Sequence, residues 1–325
     1  MNTPKISAFL VHLGFNMWLD PLEKDGVHAL PDKGADQYAT DSLRFDKDLW
    51  YGLSDRLKDA GCNMIIIDVA EGLQYESHPE IAAKGAWSKK ELADEIARLR
   101  GMGFEVIPKL NFSAGHDEWM GVYSRMLSTP TYYRFCDDVI DEVSELFGNP
   151  RYFHLGMDEE CVSIQENLYL LMMVRQGELF WHDVNRLADR VGSHGARPWI
   201  WADHVWHSKR SEENFLKNAS KDLLLSNWYY GKFTETDPAN YLYRAFHAYE
   251  LLDKNGYDQV PAASNCSNPI NYRLTAKYVR ENISDKHLLG LMMTTWAPTV
   301  PERGEYLYAA VQQMKDEYDL QKAQN

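Results

Sequence analysis

Cysteine is scarce in this chain: four in 325 residues, Cys62, Cys136, Cys161 and Cys266, far apart and never as Cys-x-x-Cys. Neither a zinc ribbon nor a disulfide framework is predicted. Positive charge is also in short supply. Lys plus Arg is 34 and Asp plus Glu is 48, a net charge of −14. A phosphate backbone wants clustered Lys and Arg, so nucleic acid is not an expected partner. Long hydrophobic runs are missing too. No window approaches the roughly 18 apolar residues of a membrane span. The start, Met1-Asn2-Thr3-Pro4-Lys5, leads into a short apolar run without a small-residue cleavage site. It does not read as a signal peptide. The compartment stays open: cytoplasmic, or periplasmic or secreted if a leader was removed. No Pro/Gly/Ser linker and no low-complexity tract divides the chain, so one domain over residues 1–325 is expected.

What is present is an ordinary globular balance, 45% hydrophobic and 25% charged, which excludes a disordered or fibrous chain. Ten Trp and nineteen Tyr stand out. Both rings carry a polar group that wants a partner. Sugars exploit such rings by stacking C–H faces on them; the other reading is plain core and surface packing.

Short apolar runs bounded by breakers predict eight strands: Ile6–Leu13, Met64–Asp68, Glu105–Leu110, Tyr152–Asp158, Pro198–Ala202, Leu223–Trp228, Gln259–Ser264 and Leu288–Trp296. Between them lie amphipathic stretches with i, i+3, i+4 spacing. They include Arg44–Ala60, Lys89–Met102, Tyr132–Phe147, Arg175–Val191, Ala239–Leu252, Tyr272–Asn282 and Gly304–Tyr318. Uninterrupted strand–helix alternation predicts an α/β fold, a single (β/α)8 TIM barrel. The stretch 20–40, rich in Asp, Lys, Gly and Pro, reads as a long loop over the active face, where the C-terminal strand ends build the site.

The most informative segment is His154-Leu155-Gly156-Met157-Asp158-Glu159-Glu160. Side chains on a strand alternate faces. Phe153, Leu155 and Met157 should face the helices, and His154, Gly156 and Asp158 the barrel interior. Glu159 joins Asp158 only if the strand ends or bulges there. Two adjacent carboxylates in one pocket repel, which raises one pKa and leaves the other ionised. The same Asp-Glu-Glu would also suit the first turn of a helix, where the dipole favours negative charge.

His154-x-Gly-x-Asp158-Glu159 resembles the His-x-Gly-x-Asp-Glu motif of glycoside hydrolase family 20, the β-N-acetylhexosaminidases. Further segments fit that resemblance. Ala60 to Asp68 is similar to the second strand. Glu71-x-x-x-Tyr75-Glu76-x-His78-Pro79-Glu80 and the helix at Ser88 look like the hexosaminidase D branch. Val106-Ile107-Pro108 and Gly115-His116 look like the third strand and its Gly-His. Trp199-Ile200-Trp201-Ala202-Asp203 looks like the end of strand five, and Ala262 to Ser264 and Gly290 to Trp296 like strands seven and eight. The likeness runs over about residues 50–300.

The resemblance implies a retaining hydrolase in which the substrate's 2-acetamido carbonyl, rather than a protein carboxylate, attacks the anomeric carbon. By the same resemblance Glu159 is the general acid and base, and Asp158 orients the acetamido group. His116, Asp68 and His154 would brace the site. Trp201, Trp228 and Trp296 would wall the sugar, with Tyr229 or Tyr230 donating to the acetamido oxygen. The implied partner is a carbohydrate containing N-acetylhexosamine; no cofactor and no metal are implied, and the oligomeric state is open.

The departures concern the grip on the sugar. The Arg typical of strand one is absent, leaving His12 and Asn16 as polar candidates. Asn265-Cys266 stands where a Tyr is typical, and Pro298 where many members have a Glu. No counterpart of the small α/β domain that commonly precedes the barrel is expected within these residues. GlcNAc or GalNAc, the linkage, and exo or endo action therefore stay open. Competing readings are a binding barrel without catalysis, a metal hydrolase using His12, His116, His154 and Asp158, and a glycosidase with Asp203 or Asp68 as nucleophile.

Overall fold

The apolar runs do become strands. In a computed structural model that describes residues 5–18, 35–161 and 175–324, eight parallel strands share one sheet: β1 Ile6–His12, β2 Met64–Asp68, β3 Glu105–Lys109, β4 Tyr152–His154, β5 Arg197–Trp201, β6 Leu224–Ser226, β7 Ala262–Ser264 and β8 Gly290–Thr294. Their order is β6-β5-β4-β3-β2-β1-β8-β7. The two ends of that row meet. The N–H groups of Val260 and Ala262 donate to the carbonyls of Leu225 and Asn227, each at 2.9 Å, and bring β7 against β6. The result is the expected (β/α)8 barrel.

The helices among the described residues are α1 Lys47–Asp59, α2 Lys89–Gly101, α3 Pro130–Leu146, α4 Glu178–Ser193, α5 Lys209–Asn218, α6 Tyr241–Lys254, α7 Asn271–Asn282 and α8 Gly304–Gln324. Local chemistry sets their starts. Ser88 and Glu91 form a reciprocal capping box on α2, and Thr129 caps α3 with Pro130 in its first turn, which satisfies amide groups that have no partner within the helix. In α3 the buried side chains Tyr132, Phe135, Cys136, Val139, Ile140 and Val143 form the expected stripe. Helix α4 begins three residues later than predicted, because Gly177 turns the chain with φ +57° just before it. That leaves Arg175 outside the helix. Of the loop expected over the active face, 20–40, residues 20–34 lie outside the described residues; Ala35–Gln37 form a short 3-10 turn.

Alternation along the strands sorts the core into two layers. Phe9, Val11, Ile65, Ile67, Val106, Phe153 and Ile200 face outward into the helix layer. Ile6, Ala8, Leu10, Met64, Ile66, Ile107, Tyr152, Trp199, Leu224, Ala262 and Met292 fill the barrel interior. On seven of the eight strands the next inward position is polar, His12, Asp68, Lys109, His154, Ser226, Ser264 and Thr294, all buried; on β5 it is Trp201. The apolar lower layers give the barrel its core, and the polar upper layer marks the face that carries chemistry.

Candidate active site

Strand β4 ends at His154, four residues earlier than predicted. Beyond it the chain leaves the extended region: Gly156, Met157 and Glu159 have φ of +72°, +70° and +57°. Such angles cost a non-glycine residue about 1–3 kcal/mol and persist where the surroundings enforce them. The consequence is that alternation is broken just where the carboxylates stand. Leu155 and Met157 still pack into the helix layer. Asp158 turns inward and is 4% exposed, while the Glu159 side chain, 25% exposed, reaches the wall of an open cleft.

The two carboxylates meet at one nitrogen. His116 Nε2 lies 3.2 Å from Asp158 Oδ2 and 3.1 Å from Glu159 Oε2. The two neighbouring carboxylates thus share one imidazole, which lies close to both but makes no aligned hydrogen bond to either. Burial works against charging the imidazole, but Asp158 and Glu159 outweigh it and hold His116 up at about 10. Burial likewise opposes the Asp158 carboxylate, and the charge and contact of His116, with Lys109 and Asn111, hold it down at about 2.

The braces come from the segment after β3. Asn111 Nδ2 donates to Asp158 Oδ1 at 2.9 Å, and Asn111 Oδ1 accepts from the N–H of Ser113 at 3.0 Å and of Met157 at 3.2 Å. The Ser113 hydroxyl donates to the Asp158 carbonyl. His154, expected to hold Asp158, does something else: its Nδ1 accepts from the Gly156 N–H at 3.0 Å. Burial and Lys109 push its basicity well down, and it packs on Trp201 with ring centres 4.6 Å apart.

Deeper in the barrel, Asp68 accepts from Lys109 Nζ at 2.5 Å and hydrogen-bonds His12 Nδ1 at 3.1 Å. All three are buried, and a buried charge demands such pairing. Asp203 is also fully buried. Its Oδ2 accepts from the Glu159 N–H at 2.9 Å and lies 2.8 Å from His207 Nε2, so it holds the backbone of Glu159 in its unusual conformation.

The amide of Asn16 is engaged by Thr40 at 2.8 and 2.9 Å and by Arg44 at 3.1 Å. Asn265 Nδ2 donates to the Tyr306 carbonyl at 2.9 Å. The residues that suggested the D branch also serve the scaffold. Glu71 accepts from the N–H groups of Phe15 and Asn16, at 2.7 and 3.0 Å.

The aromatic candidates form a chain of contacts. Trp201 is 1% exposed and meets Trp296 at 5.7 Å between ring centres. Trp296 Nε1 donates to the Tyr230 hydroxyl at 3.0 Å. Tyr230 stacks on Trp228 at 5.2 Å, and Trp206 meets Trp228 edge-on at 5.2 Å. Tyr229 packs on Phe233 and Phe246. A cleft of about 880 Å³ opens beside them, bordered by Glu159, Trp206, His207, Trp228, Tyr229 and Tyr230 among others, within the range of small-ligand pockets. Glu159 is the one acidic residue among the described residues bordering it.

The geometry thus gathers Asp158, Glu159 and His116, with Asp203 behind them and Trp228, Tyr229 and Tyr230 along the cleft. His12 and Asp68 sit in the barrel interior with Lys109. The four-residue metal set does not converge, since only His116 among the three histidines meets Asp158. Among the described residues no group of three His, Cys, Asp or Glu could hold a metal ion. Sequence reasoning missed Asn111, Ser113, Lys109 and Arg175. Alternation through Ile107 could have found Lys109; the others act across loops far apart in the chain.

A family model described as glycosyl hydrolase family 20, catalytic domain, matches residues 116–312. A solved β-N-acetylhexosaminidase from Bacteroides fragilis superposes with a TM-score of 0.59 at 15% identity, covering 95% of this chain and 65% of that one. An exo-β-N-acetylglucosaminidase from Vibrio harveyi, solved in complex with N-acetylglucosamine, gives 0.61 at 15% identity over 95% of this chain and 54% of that one. Dispersin B gives 0.56 at 14% identity over 96% and 98%. The chain thus spans between about half and two thirds of the length of the first two. No curated protein matches it in sequence. No helix among the described residues is long and apolar enough to cross a membrane.

Proposed function

The chain belongs to glycosyl hydrolase family 20, and on that premise we propose that it is a retaining exo-β-N-acetylhexosaminidase that uses its substrate's own 2-acetamido group as nucleophile. The observation that carries this reading is the convergence of Asp158 and Glu159 on His116 Nε2 at the end of β4, with Glu159 on the cleft.

In this reaction the acid form of Glu159 gives its proton to the glycosidic oxygen as the bond to the anomeric carbon breaks. The acetamido carbonyl oxygen attacks that carbon from the opposite face and closes an oxazolinium ion. The Asp158 carboxylate accepts the acetamido N–H and faces the positive charge that develops. His116, charged between the two, keeps Asp158 ionised for that task. Water then attacks the anomeric carbon and yields its proton to Glu159, restoring the acid. Two inversions give net retention.

One further feature favours substrate assistance: the alternative nucleophiles are engaged, Asp68 by Lys109 and His12, and Asp203 by the Glu159 N–H and His207.

The test is turnover of 4-nitrophenyl β-GlcNAc and β-GalNAc beside the matching glucoside. We expect turnover of an acetamido sugar, none of the glucoside, and a loss on the order of 10²–10⁴ in kcat for Glu159→Gln. Equal turnover of the glucoside would overturn substrate assistance. A folded protein that turns over none of the three would overturn the hydrolase reading in favour of a binding barrel. The relative rates on GlcNAc and GalNAc give the sugar preference.

A further inference from the structure

Beside the carboxylate pair lies a second set of buried charges that the proposed reaction does not use. Arg175 and Glu160 are each 1% exposed at the side chain, and Asp183 is fully buried. The Arg175 guanidinium binds Glu160 through Nε, at 3.1 Å to both oxygens, and again through Nη2. Nη2 also donates to the Phe112 carbonyl at 2.6 Å, and Nη1 to Asp183 Oδ2 at 3.1 Å. Glu160 is the residue after Glu159, and its Oε1 accepts the Ala114 N–H at 2.9 Å. Asp183, on α4, is fixed in turn by the hydroxyls of Ser128 at 2.7 Å and Tyr133 at 2.5 Å.

One side chain therefore ties together three pieces of chain: the segment after β3 that carries Asn111 and His116, the segment after β4 that carries Asp158 and Glu159, and helix α4. Three donor edges of one rigid planar group are needed for this, which a Lys cannot supply. Three buried charges are otherwise a poor investment in stability against apolar packing.

We propose that Arg175 is a positioning residue: through Glu160 and the Phe112 carbonyl it sets the turn bearing His116 against the segment bearing Asp158 and Glu159, and so fixes the imidazole between the two carboxylates. The inference rests on the function proposed above only for its kinetic readout. The geometry it explains is independent of any reaction.

The groups that face His116 are Asp158 and Glu159, with Lys109 reaching Asp158 from β3. Arg175 itself faces Glu160, Asp183 and the hydroxyl of Tyr132. A shift of the His116 ring titration on changing Arg175 would therefore report displacement of the imidazole from its carboxylates, since Arg175 does not touch it.

The experiment compares wild type, Arg175→Lys and the double variant Arg175→Met with Glu160→Gln, which removes two buried charges together. NMR of 15N-labelled histidine follows the His116 ring. Its titration midpoint should fall by at least one pH unit in both variants, and the ring of the distant His287 should titrate as in wild type. On the better acetamido substrate kcat should fall on the order of 10–100-fold, up to the cost of misplacing catalytic groups by about 1 Å, with KM within twofold. Unchanged ring titration and kcat in either folded variant would overturn the proposal. If wild type turns over no acetamido sugar, the hydrolase reading fails, while the ring titration still decides the positioning role. If the double variant does not fold, Arg175→Lys, which retains the charge, decides alone.

Discussion

His116 is the residue on which the site turns. Its ring stands within 3.2 Å of both carboxylates and is buried with Asp158 beneath the cleft that Glu159 borders. Removing it takes away the positive neighbour that holds the Asp158 carboxyl at about 2. Asp158 keeps Asn111 and Lys109, so it does not return to an unassisted state, but its proton affinity must rise. In His116→Gln we therefore expect the acidic limb of the kcat/KM profile on the acetamido substrate to move to higher pH by a unit or more, alongside a lower plateau. An acidic limb that stays in place would show that the imidazole does not hold Asp158 ionised. Asn111 and Arg175 were not legible as partners of this site, because their contacts span 47 residues to Asp158 and 63 to Phe112. A local pattern carries no signal at such separations. The amides of Asn16 and Asn265 illustrate the converse. Their position at strand ends is visible in the sequence, but the backbone carbonyls they serve are not.

At the scale of the element, the loop leaving β4 carries the most information per residue. Alternation along 152–158 places Phe153, Leu155 and Met157 outward, and the structure agrees. It does not foresee the three left-handed residues that present Glu159 beside Asp158, because they follow from the loop's contacts with Asn111 and Asp203. Gly156 is where local and distant constraints coincide. Its φ is +72°, and an added Cβ would fall 1.9 Å from Asn111 Oδ1. No rotamer can relieve that contact while Asn111 keeps its bond to Asp158. Gly156→Ala should therefore destabilise the fold by roughly 2–4 kcal/mol, combining backbone strain with a displaced buried amide. Urea unfolding at neutral pH measures it. A loss under about 0.5 kcal/mol, typical of a surface change, would mean that the Asn111 brace adjusts freely.

The whole molecule was the most legible level, since eight apolar runs alternating with amphipathic ones leave few other architectures. What the alternation cannot show is how many titratable groups the barrel buries, and these give the fold a direction of pH sensitivity. Consider the range above the ordinary His value of 6.5. His116 stays protonated up to about 10 in the folded chain, while in the unfolded chain it loses its proton near 6.5. The folded state then binds more protons, so the stability His116 contributes is complete below 6.5 and is lost as pH rises towards 10. Above about 9 the buried Cys62 thiol, pushed up to about 12, acts in the same sense, and the buried Tyr75 and Tyr132 hydroxyls, raised well above 10, follow. The net charge of −14 adds self-repulsion as further protons leave. Each such group tilts stability by at most about 1.4 kcal/mol per pH unit. Burial lowers His12, His154 and His204, the last to about 4, so these rings bind protons only in the unfolded chain and oppose His116 until they titrate there, about a unit above 6.5. The urea midpoint should therefore fall from about pH 7.5 to 9.5, and the fall should be shallower in His116→Gln. A midpoint that is flat or rises between about pH 7.5 and 8.5 in wild type would mean that the ring between Asp158 and Glu159 is neutral, and the electrostatics assigned to the pair would have to be rebuilt on Lys109 and Asn111.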